Sequence, residues 1–238
     1  MGMPISIEIV GGTQGSLEAI FDHFTAVDER FSTYKPESEI SLINRGKISG
    51  DEYSGEMQEI FGLAARTCAD TAGYFNIIRP DGSIDPSGIV KGWAIRNAAT
   101  LAERMGYHDY LIDAGGDIQS HGTDSEGRSW SIGIRNPFNR HEVIKVLYPL
   151  GRGVATSGTA IRGQHIYNPH DPGVTQDEIV SITIVAPDIY EADRFATAAF
   201  AMGKNGLMFI ERMPGFEAYS VDRQGIATMT SGFARLTA

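Results

Sequence analysis

The stretch D-P-S-G-I-V-K-G-W-A-I-R-N-A-A-T-L-A-E-R-M-G, residues 85–106, organises the predicted fold. Its first four residues are of types that begin helices, and Gly106 is of a type that ends them. Between these ends, apolar residues recur at steps of three and four, as they do on one face of an α-helix. These residues are Ile89, Trp93, Ala94, Ala98, Leu101, Ala102 and Met105. The sequence therefore predicts a loop that leads into an amphipathic helix.

Lys91 lies near the start of this predicted helix. A helix N-terminus presents unpaired N–H groups and the positive end of the helix dipole, so it favours an anion. A lysine there adds a positive charge and reach. The simpler interpretation is a capped helix whose lysine is solvated, and the stretch alone leaves both interpretations open.

The flanking sequence favours an α+β fold. Residues 3–10 alternate like a strand, and helical patterns follow with an apolar stripe from Leu17 to Phe31 and again over residues 54–71. After Gly106 strand patterns dominate, the clearest being I-V-S-I-T-I-V-A-P at residues 179–187, and a helix follows it and stops at Gly203. Strands and helices do not alternate regularly, which favours α+β over α/β. Without a linker or an internal repeat, residues 1–238 are predicted to form a single domain.

Composition excludes several classes of protein. Hydrophobic residues make up 42% and charged residues 21% of the 238 residues, which is ordinary for a soluble globular protein. The formal net charge of -10 argues against a nucleic-acid-binding surface, which needs basic stripes. No apolar run is long enough for a membrane span. The N-terminal residues are typical of a strand rather than a leader, so we expect a cytoplasmic protein, the alternative being a sequence from which a leader has been removed.

Asp193 and Thr197 stand four residues apart on the last predicted helix, so they share one face of it. A carboxylate and a hydroxyl oxygen are hard ligands of the kind that Mg²⁺ takes, usually together with water and substrate phosphate. The alternative is structural: Asp193 is favourable in the first turn of a helix, and Thr197 can bond back to helix carbonyls.

Two further residues are candidates by their type. His165 lies in the polar loop Q-H-I-Y-N-P beside Asn168 and Asp171, where it could act as a general base or simply be a surface histidine. Tyr34 could stack on a planar ligand or be a partly buried core residue. The chain contains no G-x-G-x-x-G, Walker A, H-E-x-x-H or G-x-S-x-G motif, which excludes the commonest alternatives.

Nine short blocks occur in one order along almost the whole chain. They are M-G-M-P-I-S, F-S-T-Y-K-P-E-S-E-I-S-L-I-N, G-Y-F-N, D-P-S-G-I-V-K-G-W-A, D-A-G-G-D-I, G-I-R-N-P, A-T-S-G, H-I-Y-N-P and A-D-R-F-A-T-A-A-F-A-M-G. Each block alone is unspecific, but together and in this order they resemble the ApbE family, the FAD:protein FMN transferases.

This resemblance implies an α+β fold and a Mg²⁺-dependent transfer of the FMN moiety of FAD. The acceptor would be a Thr or Ser hydroxyl of a target flavoprotein, and AMP would leave. By the same resemblance His165 is the catalytic base, and the metal ligands are the backbone carbonyl of Gly88 and the side chains of Asp193 and Thr197. The implied FAD-binding positions are Met1, Tyr34, Gly73, Tyr74, Phe75, Asn76, Asp85, Lys91 and Ile166.

The chain departs from the family pattern at three positions, because Asn76, Asn136 and Asn168 stand where the family usually has Asp. If Asn168 replaces a carboxylate that orients His165, the base would be weaker, since an amide stabilises an imidazolium less than a carboxylate does. Two other functions therefore stay open: a Mg²⁺-dependent FAD pyrophosphatase that gives FMN and AMP, and an FAD-binding protein without turnover. Since no leader or lipid-anchor cysteine is visible, we expect the acceptor to be a cytoplasmic flavoprotein or the cytoplasmic part of one.

Overall fold

A computed structural model of the chain describes residues 2–159, 168–171 and 177–237, with the side chain of residue 140 left out. The α-helices within these residues are α1 (Gln14–Phe31), α2 (Glu39–Asn44), α3 (Gly55–Asp70), α4 (Ser87–Arg104), α5 (Ile189–Ala201) and α6 (Lys204–Glu211). The strands are β1 (Ile5–Ile9), β2 (Tyr110–Ala114), β3 (Asp117–His121), β4 (Ile132–Asn136), β5 (Asn139–Leu147), β6 (Gly153–Gly158), β7 (Ile179–Ala186), β8 (Glu217–Asp222) and β9 (Ala227–Met229). Two short 3₁₀ helices cover Gly50–Glu52 and Phe233–Leu236.

The described strands form two sheets. The larger sheet has seven strands in the order β1-β2-β3-β6-β7-β8-β9, and every neighbouring pair is antiparallel. Strands β4 and β5 form a separate two-stranded sheet. Helices come mainly before β2 and strands mainly after it, so the predicted α+β class is confirmed.

Helix α4 is the centre of the main core. It packs against α1, α5 and β2, and α5 in turn packs on β6 and β7. The largest buried side chain is that of Trp93, which is 2% exposed, meets the ring of Phe31 edge-on and donates from Nε1 to Glu59 Oε1 at 2.9 Å. The apolar face that the sequence pattern predicts for residues 85–106 is therefore the face that α4 buries.

Helix α5 begins as its sequence predicts, and α6 is a helix that the pattern does not predict. The Asp188 side chain caps α5 by accepting the Glu191 N–H at 2.9 Å. The pattern ends this helix at Gly203, but the chain turns there with a φ of 62° and begins α6. A Cβ on Gly206 would lie 2.0 Å from the Ala199 carbonyl oxygen. The short helix is thus stabilised by close packing on α5 rather than by its own propensity.

Among the described residues, no helix combines the length and the apolar character that crossing a bilayer requires.

Candidate functional site

The start of α4 is held by Asp85. Its Oδ1 accepts the N–H of Ser87 at 3.0 Å, and its Oδ2 forms an ion pair with the Arg79 guanidinium. The N–H of Asp85 donates to the Ile77 carbonyl at 2.8 Å. The residue at the cap position, Pro86, offers no capping side chain, so the preceding aspartate satisfies a free N–H of the first turn.

Helices α4 and α5 cross at Gly92 and Asp193. The Gly92 N–H donates to Asp193 Oδ2 at 2.7 Å, and Asp193 is 3% exposed. A Cβ on Gly92 would lie 2.7 Å from the Asp193 Cβ and 2.8 Å from the Ile189 carbonyl oxygen. The position therefore requires glycine, because any side chain would push the two helices apart.

A buried ion pair lies beside this crossing. Asp117, the first residue of β3, is 1% exposed, and its Oδ2 forms an ion pair with Lys91 Nζ. The same ammonium lies 3.6 Å from Asp193 Oδ1. The other oxygen of Asp117 accepts the N–H of Thr156 on β6 at 3.1 Å. We refer to Lys91, Gly92, Asp117 and Asp193 as the Asp193 cluster.

Burial raises the pKa of the Asp193 carboxyl to about 7. Lys91 opposes this rise and the negative charge of Asp117 adds to it, while the N–H of Gly92 opposes it. The Asp193 cluster thus holds two carboxylates and one ammonium in a buried place. An additional positive charge, from a proton or a bound cation, would stabilise it.

Gly88 and Thr197 lie one helical turn from the Asp193 cluster. A Cβ on Gly88 would lie 3.6 Å from Thr197 Oγ1 and 3.3 Å from Phe75 Cε2. In a regular α-helix the N–H of Gly92 points at the carbonyl of Gly88. Here the N–H of Gly92 donates to Asp193. The carbonyl of Gly88 also has a second lone pair for another partner. The three predicted metal ligands are therefore brought side by side.

The three predicted ligands would supply only part of the coordination shell of Mg²⁺. No group of three or more His, Cys, Asp or Glu side chains in the described part of the chain could hold a metal ion. The predicted set instead contains one carboxylate, one hydroxyl and one carbonyl. Mg²⁺ commonly takes one or two carboxylates and completes its shell with water and substrate phosphate. The residues present fit a magnesium ion whose remaining ligands are water or the phosphate of a substrate.

Residues 73–76 form a tight turn after α3. Ala72 and Gly73 adopt left-handed φ values of 49° and 85°. The Phe75 side chain is 2% exposed and belongs to the core, so it is not available to a ligand. Tyr74 is half-buried and Asn76 is exposed. This turn reaches α4 through the contact between Phe75 and the Gly88 position.

A second histidine packs on this turn. His170 Nε2 donates to the Ala72 carbonyl at 2.9 Å, and its ring meets the Tyr74 ring edge-on with centroids 4.5 Å apart. A Cβ on Gly73 would lie 3.3 Å from His170 Cε1. Residues 168–171 are therefore docked on the turn. The sequence pattern does not indicate this role, because it depends on a contact between segments 98 residues apart.

Within the described residues, Tyr34 is a predicted site residue that is not joined to the Asp193 cluster. Tyr34 lies between α1 and α2 and is 95% exposed, so it makes almost no contact with the rest of the described chain. Met1, His165 and Ile166 lie outside the described residues. Their roles stay predictions.

The three asparagines that depart from the family pattern share one local role. Each side-chain oxygen accepts the N–H two residues further on: Asn76 from Ile78 at 2.9 Å, Asn136 from Phe138 at 2.9 Å and Asn168 from His170 at 3.0 Å. An aspartate accepts in the same way, so the amide preserves the turn. The hypothesis that Asn168 replaces a carboxylate that orients His165 stays untested, and the Asn168 side-chain oxygen accepts the His170 N–H.

Asp117 is a residue whose place in the site the sequence did not indicate. In sequence, G-G-D at residues 115–117 is more simply a turn between strands, and β2 and β3 do meet there. Its burial beneath α4 depends on how the helix lies across the sheet. Asp117 belongs to the block D-A-G-G-D-I of the family pattern, but that block does not indicate the ion pair with Lys91.

Known proteins resemble this chain in sequence. The chain matches the profile of the ApbE family over residues 1–80 and 78–220. A protein named FAD:protein FMN transferase from Klebsiella pneumoniae (strain 342) is 30% identical over 155 residues, which are 61% of this chain and 44% of that protein. One of the same name from Salmonella typhimurium is 27% identical over 175 residues, 69% of this chain and 50% of that protein. The matched region spans about half the length of these relatives.

Solved structures share the fold. A flavin transferase ApbE from Vibrio cholerae has a TM-score of 0.85 at 21% identity, covering 99% of this chain and 96% of that one. An ApbE protein from Thermotoga maritima has a TM-score of 0.83 at 21% identity, covering 99% of both chains. Likeness at this identity establishes a common fold, and the profile match extends over most of the sequence. The chain therefore belongs to the ApbE family.

Proposed function

We propose that this protein transfers the FMN moiety of FAD to a Thr or Ser hydroxyl of an acceptor flavoprotein, with Mg²⁺ bound and AMP released. The observation that supports this most is that Gly88, Asp193 and Thr197 lie side by side at the crossing of α4 and α5. The names of the relatives in the ApbE family support the choice of FAD and of a protein acceptor.

In this proposal the hydroxyl oxygen of the acceptor forms a bond to the FMN phosphorus. The bond from that phosphorus to the bridging oxygen breaks, and AMP leaves with the electron pair. His165 takes the proton of the hydroxyl as general base. When bound, Mg²⁺ supplies positive charge that neutralises phosphate oxygens. Its ligands from the chain are Asp193, Thr197 and the Gly88 carbonyl.

The remaining predicted residues bind and orient FAD in this proposal. The first turn of α4, which Asp85 shapes, offers N–H groups to the diphosphate, and the Lys91 ammonium adds positive charge from its ion pair with Asp117. The turn at residues 73–76 contacts the cofactor through Gly73, Tyr74 and Asn76, since the side chain of Phe75 is buried. Tyr34, Met1 and Ile166 complete the FAD-binding set, and the exposed ring of Tyr34 is available for stacking on a planar group.

The test is incubation of the protein with FAD, Mg²⁺ and an acceptor that carries a candidate Thr, followed by intact mass and AMP measurement. We expect the acceptor to gain the mass of FMN, with AMP released, and both changes to stop with EDTA. AMP and free FMN with several unmodified acceptors would instead identify a pyrophosphatase, because water would have replaced the hydroxyl. FAD that stays intact would identify a binding protein.

Replacing His165 separates binding from transfer. We expect His165→Ala to lower the rate of transfer to protein about 10²-fold or more, because the acceptor hydroxyl loses its base, with FAD affinity nearly unchanged. Flavin fluorescence measures binding, and acceptor mass measures transfer. The exposed His141 on β5 provides a control in His141→Ala, which should change neither. Equal losses of binding and transfer would make His165 a binding residue.

Replacing His170 should loosen the turn at residues 73–76. His170→Ala loses a hydrogen bond to Ala72 and a ring contact with Tyr74, so we expect the KM for FAD to rise about tenfold with kcat changed less. His170→Gln, which keeps a donor for the Ala72 carbonyl, should recover part of this loss. A fall in kcat at unchanged KM would contradict a role in positioning the turn.

A further inference from the structure

We propose that Asp117 is a positioning residue: it holds the Lys91 ammonium closer to itself than to Asp193 and so keeps Asp193 Oδ1 open to a divalent cation. The proposal rests on the proposed function, from which it takes the metal at Asp193. It gives a role to Asp117, which is not among the predicted site residues.

The first step is that Asp117 needs the ammonium. It is 1% exposed, and within the described residues no hydrogen-bond donor satisfies its Oδ2 in the usual geometry. Lys91 Nζ, in direct ion-pair contact, is the charge that compensates it. An uncompensated buried carboxylate is costly, so the ammonium is drawn strongly to Asp117.

The second step is that Asp117 is fixed in place. Its Oδ1 accepts the Thr156 N–H at 3.1 Å, and Thr156 Oγ1 is hydrogen-bonded to Thr183 Oγ1 at 2.8 Å. These partners belong to β6 and β7, neighbours in the large sheet. The carboxylate is therefore anchored to the sheet and holds Lys91 on that side.

The third step is that Lys91 has a second carboxylate within reach. Its Nζ lies 3.6 Å from Asp193 Oδ1, longer than its contact with Asp117. Asp193 Oδ2 already accepts the Gly92 N–H, so Oδ1 is the oxygen that remains for a cation. If the ammonium moved onto Oδ1, it would occupy that oxygen and oppose a divalent ion by charge repulsion.

Asp117→Asn should favour Lys91 over the cation at Asp193 Oδ1, with little change in the shape of the side chain. The amide oxygen can still accept the Thr156 N–H, but the side chain no longer carries a charge. Lys91 then has one anionic partner left in the Asp193 cluster, which is Asp193. We expect the affinity for a divalent cation to fall about tenfold.

Two variants test whether Asp117 acts by positioning Lys91. They distinguish that role from the loss of one negative charge and from damage to the structure. Asp113→Asn removes a nearby carboxylate whose pKa is affected by both Asp117 and Lys91 and whose Oδ1 accepts the Gly116 N–H at 2.7 Å. The double variant Asp117→Asn with Lys91→Met leaves the cluster with the net charge of the wild type and frees Asp193. We expect both to bind the cation within about threefold of the wild type.

The experiment titrates Mn²⁺ alone into each protein and follows the free ion by electron paramagnetic resonance, with thermal melts to establish that each variant is folded. The wild type should bind Mn²⁺, Asp193→Asn should not, and Asp117→Asn should bind about tenfold more weakly. Equal losses in Asp113→Asn and Asp117→Asn would overturn the proposal, as would a double variant as weak as Asp117→Asn. A wild type that fails to bind Mn²⁺, or an Asp193→Asn variant that still does, would overturn the metal assignment itself and the proposal with it.

Discussion

The Asp193→Asn variant will release AMP from FAD at least about 10³ times more slowly than the wild type in the presence of Mg²⁺. The asparagine keeps an oxygen for the Gly92 N–H, so the helix crossing stays intact. It offers no charge to a cation, and in the proposed site Asp193 is the one carboxylate ligand. Loss of the metal removes the positive charge that neutralises the phosphate oxygens.

When no metal is present, the Asp193→Asn variant should be more stable than the wild type at alkaline pH but not at acidic pH. Burial raises the pKa of Asp193 from 3.8 to about 7, so the folded chain binds a proton that the unfolded chain releases between these values. Stability of the wild type therefore falls as pH rises through this window, and asparagine escapes the loss. We expect a gain on the order of 1–2 kcal/mol at about pH 8, and almost none at about pH 4.

AMP assays with Mg²⁺ test the predicted loss of activity. Denaturation at the two pH values with a chelator present tests the predicted gain in stability. AMP release at wild-type rates would remove Asp193 from the metal site. A variant less stable than the wild type at both pH values would mean that the Asp193 carboxylate supports the fold instead of straining it.

Gly92→Ala should damage the fold and the site together. The new methyl group would lie 2.7 Å from the Asp193 Cβ and 2.8 Å from the Ile189 carbonyl, so α4 and α5 must separate. Overpacking of this kind costs about 1–3 kcal/mol, which outweighs the roughly 1 kcal/mol that alanine gains over glycine in a helix. The separation also weakens the bond from the Gly92 N–H to Asp193, so AMP release should fall about 10²-fold or more.

Gly62→Ala is the matched control. Gly62 lies inside α3, and a Cβ there meets no atom of the described chain within 4 Å. The same substitution should therefore raise the free energy of unfolding by up to about 1 kcal/mol and leave activity unchanged. Urea denaturation and AMP assays compare the two variants. A Gly92→Ala protein as stable and as active as the wild type would show that the helix crossing tolerates a methyl group.

Local signals in the sequence predicted the elements that carry the site. Periodic apolar residues and good end signals predicted α4 and α5, and one-turn spacing put Asp193 and Thr197 on one face. The pairing of those helices did not follow from the sequence, because it depends on the absence of a side chain at Gly92. The ion pair of Lys91 with Asp117 was missed for a similar reason, since it joins a helix to a strand laid beneath it.

The three asparagines show the limit of reasoning from residue type. Their identity suggests a lost carboxylate at each position and, at Asn168, a weaker catalytic base, which stays untested. In the structure Asn76, Asn136 and Asn168 each accept a backbone N–H two residues on, which an amide oxygen does as well as a carboxylate. Whether a charge matters at a position depends on what faces it, and sequence alone does not contain that information.

The hydrogen bond from Gly92 to Asp193 makes one amide proton a reporter of the whole site. Its acceptor is a side chain 101 residues away on another helix, so fraying of the α4 terminus is not enough to release it. Exchange of this proton with deuterated solvent requires α5 to move off α4, an opening that involves the core of the molecule. The rate of that exchange therefore measures how often the two helices part, and a ligand that bridges them slows it.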